Sequence, residues 1–176
     1  DKKFNKIVCV GNLNKTKNHI QLIEFLETSK LKYNLVIIGK KLETQTNYYA
    51  KLIQISKRIN FKTSNKIKIY QNKKSNFIRK KLNRSDLFIL PSLSEGLSIA
   101  LVEAMCMKKL CFVSKSSNHS KIIINNKNGF EFDLNERSFL KNLKKIQKLN
   151  SKKIKDITFN ARLTVEKLIV KNIIFE

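Results

Sequence analysis

The chain has 176 residues, 41% of them hydrophobic, with four Gly, one Pro and a formal net charge of +24. That length suits a single domain able to bury roughly 70% of its extended-chain surface, and the composition excludes a linker, a low-complexity tract or a collagen-like chain. No apolar run reaches the ~18 residues a membrane-spanning helix needs. The opening Asp1-Lys2-Lys3-Phe4-Asn5-Lys6 has neither an initiator Met nor a signal-peptide core, so a fragment of a longer protein is expected.

The elements follow in chain order. Ile7–Val10, ended by Gly11, is strand 1, and Asn14 to Lys17 is polar loop. From Asn18, Ile20, Leu22, Ile23 and Leu26 recur at helical spacing. Leu35–Ile38, ended by Gly39, is strand 2; 43–59 is a helix with Leu52, Ile53, Ile55, Ser56 and Ile59 inward. Strand 3 is Ile67–Tyr70, a helix spans 75–82, strand 4 is 86–90, and a helix starts near Leu97. Strand 5 is Leu110–Val113, a helical turn falls at 121–124, and strand 6 is Phe130–Phe132 after Asn128-Gly129. From Glu136 onward two Lys-rich helices break near Asn150-Ser151, giving a core of about 5–149 and C-terminal helices over 150–176.

Strands alternating with helices, each strand a continuous apolar run, indicate an α/β domain with a parallel sheet covered on both faces. Right-handed crossovers favour a doubly wound six-stranded sheet of order 3-2-1-4-5-6, Rossmann-like in character. Strands 1 and 4 are then neighbours at the switch point, and ligands bind beyond the carboxyl ends of the strands there. The two most distinctive loops, Gly11 to Lys17 and Pro91 to Gly96, leave those two strands. A helix start offers free N–H groups and a positive dipole end for phosphate. Glu95 and Glu103, one in the turn and one inside the helix, add acceptors for hydroxyls, and a phosphate flanked by polyols describes a nucleotide sugar.

Other chemistries lack their residues. There is no GxGxxG after strand 1, no acid ending strand 2, no GxxxxGK[ST] and no Asp-x-Asp, so neither a nicotinamide site, a P-loop nor a metal-held diphosphate is expected. Ser92 and Ser94 lack a base for nucleophilic catalysis, and His19 and His119 read as loop or helix-start residues. Cys9, Cys106 and Cys111 lack metal spacing and read as reduced core thiols of a cytoplasmic protein. Of 37 basic residues only five are Arg (58, 79, 84, 137 and 162), and Lys, Asn and Ile share AT-rich codons, so coding bias is the expected source of the excess, with a selected binding surface as the alternative. Nucleic acid is not an expected partner, since its readers enlist Arg and stacking aromatics. The lysines would still draw the chain toward an anionic inner membrane leaflet.

Three motifs now fall in register. Pro91-Ser92-Leu93-Ser94-Glu95-Gly96-Leu97-Ser98-x4-Glu103-Ala104-Met105 resembles the E-x7-E signature of retaining glycosyltransferases of family 4, which have the GT-B fold. Gly11-Asn12-Leu13-x3-Lys17-Asn18-His19 resembles that family's strand-1 motif, and Asn128-Gly129 its strand-6 motif; the likeness covers about residues 5 to 135. It implies the donor-binding half of an enzyme whose N-terminal acceptor domain is absent from this chain, so the isolated piece is expected to bind donor but turn over poorly.

By that resemblance Glu103 accepts from ribose hydroxyls, Glu95 faces the transferred sugar, and Lys17 offsets leaving-group charge without a metal or other cofactor. Glu95 and Lys17 are the catalytic candidates. Gly11, Asn12, Gly96, Leu97 and Ser98 complete the donor contacts, and Gln71 and Asn72 neighbour the nucleobase. A little over two helical turns between the glutamates would span on the order of 10–12 Å, a nucleoside diphosphate sugar's length. The acceptor would be a glycan or lipid-linked molecule in polysaccharide or lipopolysaccharide synthesis. The sequence departs from the family at Asn12, where Arg is usual and Lys15 could substitute, at Lys121 in place of Glu, and at Lys108 and Asn126 in place of glycines. Rival readings are a basic non-catalytic module for membrane or nucleic acid, and a sugar-nucleotide epimerase of the same fold.

Overall fold

The computed structural model describes residues 4–115 and 122–174, with side chains to residue 169. Six strands, β1 (Lys6–Val10), β2 (Asn34–Gly39), β3 (Lys66–Gln71), β4 (Leu87–Leu90), β5 (Leu110–Ser114) and β6 (Phe130–Phe132), form one parallel sheet of order β3-β2-β1-β4-β5-β6. The helices are α1 (His19–Thr28), α2 (Thr46–Lys62), α3 (Ser75–Asn83), α4 (Ile99–Cys106), α5 (Glu136–Gln147) and α6 (Ser151–Ile174). This is the doubly wound sheet expected from the sequence.

Each central strand divides its side chains between two cores. Ile7, Cys9, Leu35, Ile37, Leu87, Ile89 and Phe112 join α1, α2 and α5 on one face. Val8, Val10, Ile38, Phe88, Leu90, Cys111 and Val113 join α4 on the other. A strand buried on both faces has no polar register, which is why its sequence reads as an unbroken apolar run. Helix α6 serves both cores: Ile154 and Ile157 enter the first, Ala161 and Val165 the second. Asn150 Oδ1 accepts from Lys153 N at 2.9 Å, so the expected break at Asn150-Ser151 is the capped start of α6.

Four local expectations change. The polar loop after β1 contains a 3₁₀ turn, Lys15–Lys17, capped by the Asn14 side chain, which accepts from Lys17 N at 3.1 Å. The helix expected over 43–59 spans 46–62, because Glu43–Gln45 forms a 3₁₀ turn first. Residues 122–124 carry no helix; Ile122 and Ile123 are buried there, while Lys121 and His119 lie outside the described residues. The helix expected from Leu97 begins at Ile99, because the Ser98 side chain caps it by accepting from Leu101 N. Only Ile99 to Glu103 is helical between the two glutamates, a rise of about 6 Å, so two full turns do not separate them.

Two positions where the resemblance implies glycine have a backbone reason for it. Lys108 and Asn126 sit at φ 54° and 65°, in the left-handed region that glycine enters at no steric cost. Lys108 closes α4: its N–H reaches Met105 O at 3.0 Å, and Lys109 N reaches Ala104 O at 2.9 Å, the two bonds of a Schellman end. Asn128 ties the β5–β6 connection to α6, receiving Ile124 N at 2.7 Å and donating to Ile122 O and Thr164 Oγ1 at 2.9 and 3.0 Å.

Candidate active site

The turns leaving β1 and β4 converge. Leu93 N donates to Thr16 O at 2.8 Å, so the backbones of the two loops are joined directly. Beside that bond the Lys17 ammonium contacts the Glu95 carboxylate through Oε1. Ser92 Oγ donates to the same oxygen at 2.9 Å. Ser114, at the end of β5, donates to Ser92 O at 2.5 Å, so three adjacent strands hold this cluster. The Lys17 and Glu95 side chains retain only 19% and 10% of their surface.

The position of Lys17 is fixed by backbone geometry. Gly11 N donates to Ile38 O at 2.9 Å and Leu13 N to Lys40 O at 2.9 Å, which folds the loop across the end of β2. A Cβ on Gly39 would stand 1.9 Å from Gly11 O, so only glycine permits that crossing. The Lys17 stem lies against Gly11 where a side chain would be, its Cδ 3.2 Å from an added Cβ.

Beneath Lys17 the environment is dry. His19 is fully buried as the first residue of α1, with Nδ1 3.5 Å from Tyr48 Oη. Burial first and the Lys17 charge second push its pKa down to about 3, so the ring is neutral at physiological pH. Burial likewise pushes the Tyr48 hydroxyl and the Cys9 thiol up to about 12. Cys9 and Cys111 are buried free thiols, as expected, whereas Cys106 is only half-buried.

Glu103 is half-buried on α4, and its carboxylate has no hydrogen-bond or ion-pair partner among the described residues. Gly96 and Leu97 are exposed in the loop before α4 and Ser98 is buried as its cap, so Gly96 and Leu97 do not belong to the helix start. A Cβ on Gly96 would meet nothing within 4 Å. Leu101 N and Val102 N both reach Ser98 O at 3.1 Å, which leaves the Ile99 and Ala100 amides at the mouth of α4. Leu97 and Ile99 stand 65% and 74% exposed, giving the site an apolar rim.

The remaining expected residues stand apart from the pair. Asn12 is exposed, and so is Lys15, which lines a depression of about 480 Å³ with Asn18, Gln21, Tyr48, Lys51 and Leu93. Gln71 ends β3 and donates to Tyr49 Oη; Asn72 is exposed at φ 49°, its N–H on Gly39 O at 3.1 Å. Both lie at the carboxyl edge of the sheet, but β3 is three strand spacings from β4, about 14 Å. Among the described residues no three His, Cys, Asp or Glu side chains gather where they could hold a metal ion. The holders Ser92 and Ser114 were not signalled as such by the sequence; Ser92 reads there only as a serine without a base.

The fold defines a class, that of the Rossmann-like half of GT-B glycosyltransferases. The chain belongs to the glycosyl transferases group 1, whose family model matches residues 1–164. Among known proteins it is 38% identical over 55 residues to the UDP-Gal:α-D-GlcNAc-diphosphoundecaprenol α-1,3-galactosyltransferase of Escherichia coli, a match covering 31% of this chain and 14% of that enzyme. A glycosyltransferase from Rickettsia africae superposes with a TM-score of 0.79 at 24% identity, over 93% of this chain and 43% of the other. Anabaena HepE, solved in complex with UDP and glucose, gives 0.76 at 19% identity over 97% and 48%. The C-terminal domain of a group 1 protein (LpcC) from Francisella tularensis gives 0.75 at 22% identity, over 92% of this chain and 84% of that domain. The chain thus spans less than half of the Rickettsia and Anabaena proteins but most of the isolated C-terminal domain.

Proposed function

We propose that this chain is the donor-binding half of a retaining, metal-independent glycosyltransferase of family 4, taking a nucleoside diphosphate sugar and serving a glycan or lipid-linked acceptor. The observation that carries this reading is the contact of Lys17 with Glu95 across the β1 and β4 turns. It puts one cation and one carboxylate at the switch point, beside a helix start. UDP is the first nucleotide to test, because HepE was solved with UDP and the Escherichia coli relative is named for UDP-Gal.

In this reading Lys17 and the amide end of α4 face the diphosphate and stabilise the negative charge that grows as the sugar–phosphate bond breaks. Glu95 accepts from sugar hydroxyls. Glu103, whose carboxylate is otherwise unpartnered, accepts from the ribose hydroxyls. The acceptor hydroxyl bonds to the anomeric carbon as the sugar–phosphate bond breaks, its proton passes to the departing diphosphate oxygen, and the nucleoside diphosphate leaves, with retention of configuration. Activity requires an acceptor-binding partner across the apolar rim of Leu97 and Ile99. The products would enter cell-surface polysaccharide or lipopolysaccharide synthesis.

The test is thermal. Millimolar UDP or GDP is expected to raise the melting temperature, because a ligand that binds only the folded state stabilises it by mass action. Glu103→Ala is expected to remove that shift, since losing a charged acceptor costs about 1.5–3 kcal/mol. A shift in Glu103→Ala equal to the parent's would overturn the ribose role, and no shift with any nucleoside diphosphate would overturn the site.

A second reading, peripheral contact with an anionic leaflet, has its own observation: Arg137, Lys141, Lys144, Lys145 and Lys148 form one exposed ridge of α5. Vesicle binding through that ridge would fall steeply with salt, whereas pocketed nucleotide binding would fall less.

A further inference from the structure

The Lys17–Glu95 pair presents a chemical conflict. Lys17 is the cation that the donor-site reading gives to the diphosphate, yet here it is already satisfied by a carboxylate. Glu95 is held by two donors, one of them itself fixed in place. Its Oε1 receives Lys17 and Ser92 Oγ, and Ser92 is itself fixed by Ser114 Oγ on its carbonyl and by the neighbouring Leu93–Thr16 backbone bond. Glu95 keeps its Ser92 bond when the pair parts, so it is the Lys17 ammonium, at the end of a stem packed on Gly11, that turns toward the ligand.

Consider what each ligand does to that pair. A bare nucleoside diphosphate recruits Lys17 and leaves Glu95, with 10% of its side chain in water, deprived of its countercharge and close to the phosphates. A buried charge that loses its partner is penalised more than the pair was worth. A nucleoside diphosphate sugar recruits Lys17 as well, but it also brings hydroxyl donors to Glu95 at the same moment. The loaded donor therefore compensates both halves of the pair, and the spent nucleotide only one.

We infer that Glu95, held by Ser92 and Ser114, is a latch on Lys17 that makes the site discriminate against bare nucleoside diphosphate in favour of the sugar-loaded form. Ser92 and Ser114 are positioning residues for this latch. The consequence is release: after transfer the latch closes on Lys17 and expels the nucleotide. This rests on the donor-site reading above and goes beyond it, since that reading assigns Glu95 only to the sugar.

The experiment is calorimetric titration of the full chain, and of Glu95→Gln, Lys17→Met and the double variant, with UDP, GDP and dTDP. Folding of each variant is checked by circular dichroism and thermal melt. For the nucleotide that binds, Glu95→Gln is expected to bind tighter than the parent by about two- to tenfold, the worth of releasing a partly exposed ion pair. The gain is expected to vanish in the Lys17→Met background, which separates the latch from a general loss of negative charge. Glu103→Gln is expected to weaken binding, not tighten it. Equal or weaker binding by a folded Glu95→Gln, or a gain that survives Lys17→Met, overturns the latch while leaving the donor site standing. No binding of any of the three nucleotides to parent or variant overturns the donor-site reading and the latch with it.

Discussion

The ridge of α5 and the turn after β1 are both built from lysine, and they show what the net charge of +24 does and does not convey. Along α5 and at its C-cap, Arg137, Lys141, Lys144, Lys145 and Lys148 are exposed, and none makes an ion pair among the described residues. Their charge is screened within about 10 Å at ordinary salt and selects for negative sign alone. At the β1 turn a single cation, Lys17, is four-fifths buried against Glu95 and carried by a loop clamped to β2 and β4. Position gives that one charge a direction and a partner. Five exposed charges attract any anion; one enclosed charge is held to a single partner.

The sharpest way to break this contrast is to unclamp the loop. Gly39→Ala places a methyl 1.9 Å from Gly11 O, a clash only backbone movement can relieve. The expected loss is more than about 3 kcal/mol of stability, with loss of nucleotide binding in whatever remains folded, while retention on a polyanion column is unchanged. A normal urea midpoint for Gly39→Ala would show that the β1 turn is not clamped as described.

The dry floor under Lys17 makes the second test, through pH. His19 has its pKa lowered from 6.5 to about 3 in the folded chain. Below pH 6.5 the unfolded chain takes up a proton that the folded chain refuses, so this group's contribution to stability is lost as pH falls from 6.5 toward 3. The slope from this one group is at most about 1.4 kcal/mol per pH unit, and His19→Gln is expected to flatten it in urea titrations between pH 7 and 4. An unchanged slope in His19→Gln would mean the ring is not sealed. Charge reversals on the α5 ridge should leave this slope in place.

The smallest expected effect sharpens the contrast from the far end of α4. Lys108 ends α4, the helix that carries Glu103, in a conformation that suits glycine. Lys108→Gly is expected to add about 1 kcal/mol and 2–4 °C to the melting temperature. A lower melting temperature would mean that the Lys108 side chain, whose ammonium lies 5.5 Å from the Phe159 ring, stabilises more than the backbone relief.

How far the sequence carried this picture depends on the kind of contact. The strand order followed from apolar runs and the right-handed crossover, and the sheet has that order. The meeting of Lys17 and Glu95 followed from the same topology, because both turns leave neighbouring strands. The hidden parts are contacts between residues distant in the chain. Gly39 reads as a strand end, yet its lack of a side chain serves Gly11, 28 positions earlier. Ser114 has no local signature; it matters because β5 lies beside β4 and its hydroxyl reaches Ser92 O. Helical periodicity puts the start of α4 near Leu97, whereas the helix begins at Ile99, because periodicity does not register Ser98 as a cap.

The convergence of the β1 and β4 turns on one nucleotide is tested most directly by comparing two variants in one titration with UDP and GDP. Lys17→Ala removes one charge from the clamped turn; Lys141→Ala with Lys144→Ala and Lys145→Ala removes three from the ridge. Nucleotide binding is expected to weaken by about tenfold but stay measurable in the first, and to be kept within about twofold in the second. Undiminished binding in Lys17→Ala, with binding lost on removal of the ridge lysines, would contradict the account.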